Sequence, residues 1–169
     1  MTKEKFLDIK LHMERHAGIW SVISAVAKLV TALTFVGYPL LIGFLIYLSF
    51  TGEGFRKTVV CIVVPAISFV LLSVYRKIKN SPRPYEVWKV DPLIKKETKG
   101  NSFPSRHVFS IFVIGMTFMF TNTGIGAAML LGGVYLALYR VIGGVHFVKD
   151  VVAGAFFGMA AGLVMFVLI

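Results

Sequence analysis

"VFSIFVIGMTFMFTNTGIGAAMLLGGVYLALY", residues 108–139, contains no charged side chain. A helix that crosses the hydrocarbon core of a bilayer needs roughly 20 mostly apolar residues. This run is therefore long enough for two crossings if it turns, and Thr121-Asn122-Thr123-Gly124 is a suitable turn. On either side, Thr58 to Tyr75 and Val151 to Ile169 are also free of charge, and each supplies about one crossing. The whole chain has 169 residues and is 57% hydrophobic, with a mean hydropathy of +0.80. That excludes an ordinary soluble domain and leaves length for one domain, residues 1–169.

The segment before residue 58 has two readings. Ile19 to Phe50 is apolar apart from Lys28, with Gly37-Tyr38-Pro39 near its middle. We read it as a hairpin of two short spans, about 18–36 and 38–51. The alternative is an interfacial helix, with Lys28 reaching to the headgroups, followed by one span. The choice decides on which side of the membrane the N-terminus lies. With the hairpin, the expected fold is all-α, a polytopic membrane bundle of about six transmembrane helices. Residues 1–17 mix Lys3, Lys5, Lys10 and Arg15 with Glu4, Asp8 and Glu14. They read as an amphipathic lead-in helix and not as a cleaved signal peptide.

The net charge of +10 sits at the edges of spans, which favours anionic lipid headgroups or phosphorylated lipids over nucleic acid as partners. Cys61 lies within a span and implies no disulfide. His12 and His16 have the spacing of metal ligands, but a solvated face of the charged N-terminal helix is the simpler reading. No metal site is expected.

Alternation of spans gathers distant polar residues on one side. The span ending near Tyr75, the span starting near Ser105 to His107, the span ending at Arg140 and the span starting near His146 all meet there. Arg76, Arg83, Ser105, His107, Arg140, His146 and Asp150 can thus converge. Ionisable groups at the membrane edge are a functional-site hypothesis by default. His146 and Asp150 are four apart and project from one face of a helix, so the carboxylate can orient one ring nitrogen and leave the other free as nucleophile or base. Read alone, the pair could equally be a helix-end ion contact. Pro104-Ser105-Arg106-His107 starts a helix whose free N–H groups and Ser105 hydroxyl form an anion site, or else a plain N-cap. "RKIKNSPRP", residues 76–84, holds Arg83 near a span end, where arginine forks suit phosphate. Lys89, Lys95, Lys96 and Lys99 read as snorkelling interfacial cations.

These three stretches resemble the motifs of the type-2 phosphatidic acid phosphatase superfamily, K-x6-R-P, P-S-G-H and S-R-x5-H-x3-D. Here they stand as Arg76-x6-Arg83-Pro84, Pro104-Ser105-Arg106-His107, and Tyr139-Arg140-x5-His146-x3-Asp150. Arginine replaces the lysine of the first motif, with Lys77 one residue on as an alternative cation. Arg106 replaces the glycine of the second motif and Tyr139 the serine of the third. The resemblance implies that His146 attacks phosphorus to form a phosphohistidine, with Asp150 holding its other nitrogen. His107 would protonate the leaving oxygen and then activate water. Arg76, Arg83, Ser105, Arg106 and Arg140 would bind the phosphoryl oxygens, without cofactor or divalent metal.

The expected activity is hydrolysis of a membrane lipid phosphate or diphosphate, with phosphatidylglycerol phosphate, phosphatidic acid and undecaprenyl diphosphate as candidate substrates. The alternative is a non-catalytic binding or transport protein for anionic phospholipids. The resemblance also places the site on the extracytoplasmic face of the cell membrane, at the loop 76–105. With six spans, both termini are then cytoplasmic. Gly154, Gly158 and Gly162 form a small-residue ridge suited to close helix packing within the bundle, or secondarily to a homodimer.

Overall fold

The computed structural model describes residues 1–96 and 98–169; Glu97, in the 76–105 loop, lies outside the described residues. Among the described residues seven α-helices follow one another: α1 (Lys3–Arg15), α2 (Ala17–Leu48), α3 (Arg56–Lys79), α4 (Pro84–Trp88), α5 (Arg106–Met119), α6 (Thr123–Ile142) and α7 (Val148–Leu168). No strand occurs among the described residues. The chain is an all-α polytopic membrane bundle. Helices α2, α3, α6 and α7 are long and apolar enough to cross a membrane, and their outward faces expose large apolar residues such as Leu40, Leu71, Leu131 and Val167.

The uncharged stretch 108–139 folds as two helices, α5 and α6. Asn122 makes the reversal: its side-chain oxygen accepts from the Ile125 N–H at 3.0 Å and caps α6, satisfying an N–H that the first helical turn cannot pair. Helix α5 is the axis of the bundle. It is apolar all round, and Val108 to Gly115 are all buried, as a helix enclosed by others must be. It packs along α6 and α7. Lys57 at the start of α3 donates to the Phe120 carbonyl at the far end of α5, so α5 runs the length of the bundle even though it has only 14 residues.

The 19–50 hairpin is not formed. Residues 17–48 make one helix of 32 residues that passes through Pro39 without turning. A reversal in mid-bilayer would leave several N–H and C=O groups without water or partners, whereas proline in a membrane helix frees only one carbonyl. Tyr38 also donates its hydroxyl to the Cys61 carbonyl at 2.8 Å, fastening α2 to α3 beside the proline. Lys28 is exposed on this helix.

One span in place of two moves the N-terminus. The start of α2 now lies at the end of the bundle where α3 and α6 finish and α5 and α7 begin. Helix α1 forms as the amphipathic lead-in helix and packs at this same end. Phe6 is fully buried, with its ring 5.4 Å from that of Trp88. It also closes over Gly144, where a Cβ would stand 2.6 Å from the Phe6 ring. Burying one such side chain contributes about 1.5–3 kcal/mol. The C-terminal end of α7 is at the opposite end, where Arg56 donates to the Leu168 carbonyl at 2.9 Å. The two termini are therefore on opposite faces, and the arrangement with both on one side is corrected.

The glycine ridge of α7 faces α5. A Cβ on Gly154 would lie 2.6 Å from the Ser105 carbonyl oxygen, on Gly158 2.8 Å from that of Phe109, and on Gly162 2.4 Å from Met116 Cβ. The ridge lets the two backbones approach and brings the starts of α5 and α7 together. A homodimer through it would have to displace α5.

Candidate active site

The loop between α3 and α5 is braced from both sides. In the last turn of α3, Arg76 is buried and donates through Nη1 to the Ser102 carbonyl at 3.3 Å and through Nη2 to the Asn101 carbonyl. Lys77, one residue on, is exposed, so Arg76 is the first-motif cation that faces inward. Arg83 is equally buried and donates through Nε to the Gly100 carbonyl at 3.0 Å and through Nη1 to the Val145 carbonyl at 3.1 Å. It therefore links the loop to the α6–α7 turn.

Glu86 completes the brace. Its carboxylate accepts from the Arg83 N–H at 2.7 Å and from the Gly100 N–H at 2.9 Å. Sequence reasoning missed Glu86, although its place two residues after Pro84, in the first turn of α4, marks a capping carboxylate.

The starts of α5 and α7 are tied directly: the Ser105 N–H donates to the Asp150 carbonyl at 2.8 Å. This bond joins the second and third motifs through their backbones. Ser105 is the N-cap of α5, but its hydroxyl caps nothing; Ser105 Oγ is buried and has no partner among the described residues. Arg106 is exposed at the first position of α5, and His107 is half-buried in the same turn.

Arg140 comes from the last turn of α6 and is 7% exposed. Its Nε and Nη2 are buried without a partner among the described residues. Buried guanidinium nitrogens are ordinarily hydrogen-bonded, and this fork, the orphan Ser105 hydroxyl and the N-terminus of α5 are groups of the kind that bind oxyanions.

After Arg140 the chain turns through Gly143-Gly144. Gly144 has φ +74°, a left-handed conformation that favours glycine, and the space beyond it is filled by Phe6. The turn delivers His146 into the interior at 1% exposure. Its Nδ1 lies 3.5 Å from Asp150 Oδ2, while Nε2 makes no hydrogen bond among the described residues. Asp150 Oδ2 is shared: it also accepts from the Ser102 hydroxyl and from the Phe147 N–H at 3.0 Å. Ser102 Oγ is itself 3.4 Å from His146 Nδ1.

Ser102 thus belongs to the pair, and nothing in the sequence singled it out. It sits outside any periodic pattern, and its backbone is held from two sides, by Arg76 on its carbonyl and by its own N–H on the Ser81 carbonyl at 2.9 Å. Burial is the main reason that the imidazole of His146 is pushed down to about 4, against the opposing hydrogen bond to Asp150. The ring is therefore neutral at pH 7, with a free lone pair.

All eight residues singled out in the sequence lie at this end of the bundle. His12 and His16 do not join them. They are exposed on or beside α1, with His16 Nδ1 3.0 Å from the His12 carbonyl oxygen.

The comparisons bear on this architecture. In solved structures, the chain is similar to LpxE of Aquifex aeolicus, with a TM-score of 0.63 and 25% identity over 84% of this chain and 86% of that one. It also shares the fold of a transmembrane PAP2-type phosphatidylglycerolphosphate phosphatase from Bacillus subtilis. There the TM-score is 0.60 and the identity 20%, covering 95% and 90% of the two chains. The bacitracin transport permease protein BcrC of Bacillus licheniformis is 27% identical over 131 residues, 76% of this chain. The match spans 64% of the length of that relative. The family model of the PAP2 superfamily matches residues 57–169, a range that runs from the second residue of α3 to the end of α7 and contains all three motifs. The chain belongs to the PAP2 superfamily.

Proposed function

We propose that the protein is a phosphatase for a phosphorylated membrane lipid, working through a phosphohistidine. One observation carries the reading: a neutral, buried imidazole with a free Nε2 stands at the same helix ends as a guanidinium fork and a hydroxyl that have no partner among the described residues. Phosphoryl transfer asks little covalent chemistry of the protein and much positioning and charge stabilisation. In the first step His146 Nε2 attacks phosphorus and the bond to the leaving oxygen breaks, with His107 donating a proton to that oxygen. Asp150, itself held by Ser102 and the Phe147 N–H, stabilises the cationic ring through Nδ1. In the second step His107 takes a proton from water, whose oxygen attacks phosphorus and releases inorganic phosphate and His146. Arg140, Ser105 and the first amides of α5 bind the equatorial oxygens. Arg76, Arg83 and Arg106 add positive charge around them.

A lipid substrate is supported by an apolar groove of about 500 Å³ between α3, α5 and α7. Tyr75 and Pro104 line it, each one residue from a site residue, and Leu71, Phe157 and Val164 carry it into the bilayer-facing part of the bundle. An acyl or prenyl chain in this groove would put its phosphate among the arginines. Phosphatidylglycerol phosphate, phosphatidic acid and undecaprenyl diphosphate all suit this arrangement. BcrC is described by its name as a transport permease, but a carrier of anionic lipids has use for the arginines and none for a carboxylate-oriented neutral imidazole. Purified protein in detergent should release inorganic phosphate from at least one of these lipids in excess EDTA. Lipid binding without phosphate release would favour a carrier, and loss of activity on chelation would overturn the metal-free mechanism.

In this reading the site stays on the extracytoplasmic face, where the family resemblance puts it. The cations now run against that placement under the positive-inside rule. Lys3, Lys5, Lys10 and Arg15 join the site end, while Arg56 and Lys57 mark the other. Labelling decides the matter. In a Cys61→Ala background, Lys3→Cys should react with a membrane-impermeant maleimide on intact cells. Protection until the cells are opened would put the site in the cytoplasm.

A further inference from the structure

The stretch that carries Arg140 and His146 is gripped at two places by residues 1–20, which lie outside the range shared with the family. The first grip is on Tyr139, the residue before Arg140. The Trp20 ring stacks on the Tyr139 ring, with centroids 5.4 Å apart and planes at 21°. One turn earlier on α6, Tyr135 donates its hydroxyl to the Ile23 carbonyl at 2.8 Å. The start of α2 is thereby fixed to the last turns of α6. Because α1 and α2 are joined through the single residue His16, α1 is held at the same place.

The second grip is Phe6. It is fully buried, while Lys3, Lys5 and Leu11 of the same helix are exposed. Beneath it the α6–α7 turn has two successive glycines, the residue with the greatest backbone freedom. Each has its bare side covered by one apolar side chain, Gly143 by Ile94 and Gly144 by Phe6. The Phe6 ring also lies 5.4 Å from that of Trp88, which meets the Phe147 ring edge-on at 5.5 Å. The Phe147 N–H in turn donates to Asp150 Oδ2. Phe6 therefore bears on the residue two before His146 and, through Trp88, on the residue after it.

The imidazole needs this support. Its Nδ1 stands 3.5 Å from Asp150 Oδ2 and 3.4 Å from Ser102 Oγ, both longer than an ordinary hydrogen bond. The aim of Nε2 is then set by the backbone on either side of the ring. From these contacts we infer that residues 1–20 are a positioning segment of the active site, in which Phe6, with Trp20 behind it, holds the catalytic turn so that His146 faces phosphorus. Phe6 acts through Gly144 and Trp88, so it is a positioning residue and not a catalytic one. The inference rests on the phosphatase reading above.

The experiment measures kcat and KM for wild type, Phe6→Ala, Phe6→Met and Trp20→Leu, well below the melting temperature of each. The substrate is whichever of phosphatidic acid, phosphatidylglycerol phosphate and undecaprenyl diphosphate wild type cleaves fastest. Phe6→Ala should lower kcat about 10- to 100-fold while KM changes less than about threefold, the pattern of a misaimed nucleophile with binding intact. Phe6→Met refills the space over Gly144 and should recover most of the rate. A merely structural Phe6 would lower the melting temperature and leave kcat of the folded protein at the wild-type value. That result overturns the inference, as does a rise in KM at constant kcat or a loss that methionine does not recover. Should Phe6→Ala fail to fold, Trp20→Leu carries the test. It loosens the other grip and should lower kcat by about 10-fold; a wild-type kcat there overturns the inference. Failure of the phosphatase reading shows separately, as wild type that releases no phosphate from any of the three lipids, and the inference then falls with it.

Discussion

His146→Ala should abolish phosphate release while the protein still folds and inserts. Removing a nucleophile that works as a unit with its partners costs on the order of 10⁴-fold or more in turnover. The fold does not depend on the ring. His146 lies in the turn between α6 and α7, and that turn is also held by Arg83 on the Val145 carbonyl, Ile94 on Gly143 and Phe6 over Gly144. Asp150→Asn should be slow and not dead, by about 10²- to 10⁴-fold. The amide can still accept from Ser102 and the Phe147 N–H, but it no longer stabilises a cationic imidazole. The check is initial-rate phosphate release beside a thermal melt in the same detergent. A folded His146→Ala protein with normal turnover would remove the nucleophile assignment. Equal losses in both variants would fit a structural role for the pair.

Arg140→Met should separate stability from activity. The guanidinium is buried, with two nitrogens unpaired, and an uncompensated buried charge destabilises a fold more than a well-packed apolar side chain does. The variant should melt at or above the wild-type temperature, yet lose about 10³-fold or more in kcat/KM, the scale of losing an arginine that stabilises transition-state charge. Arg140→Lys should restore charge but little activity, because the ammonium lacks the planar fork. Inorganic phosphate should raise the melting temperature of wild type and fail to do so for Arg140→Met. A variant that unfolds, or one that stays active, would show that Arg140 serves packing and not phosphate.

These expectations rest on residues whose grouping was legible before any coordinates. The charge-free run of 32 residues reads as two crossings because Thr121-Asn122-Thr123-Gly124 carries side chains able to cap a new helix, as Asn122 does on the Ile125 N–H. Alternation from residue 58 onward then puts Arg76, Arg83, Ser105, His107, Arg140, His146 and Asp150 at one end. That logic depends only on α3 to α7, so it survived the loss of the 19–50 hairpin. The hairpin itself failed because Gly37-Tyr38-Pro39 has the composition of a turn in water, where water pairs the freed groups. The bond from Tyr38 to the Cys61 carbonyl, made by a residue 23 positions away, cannot be read locally.

By itself, the sequence determined the membrane class, the all-helical bundle and which polar residues share one end of it, through length, hydropathy and spacing, which act along the chain. Only the tertiary structure decided that α1 covers the site end, that Arg76 and not Lys77 points inward, and that Ser102 and Glu86 hold the His146–Asp150 pair and the loop. Each of these turns on which carbonyl or carboxylate a side chain meets across the bundle. Such meetings come from packing between distant segments, for which residue spacing carries no signal.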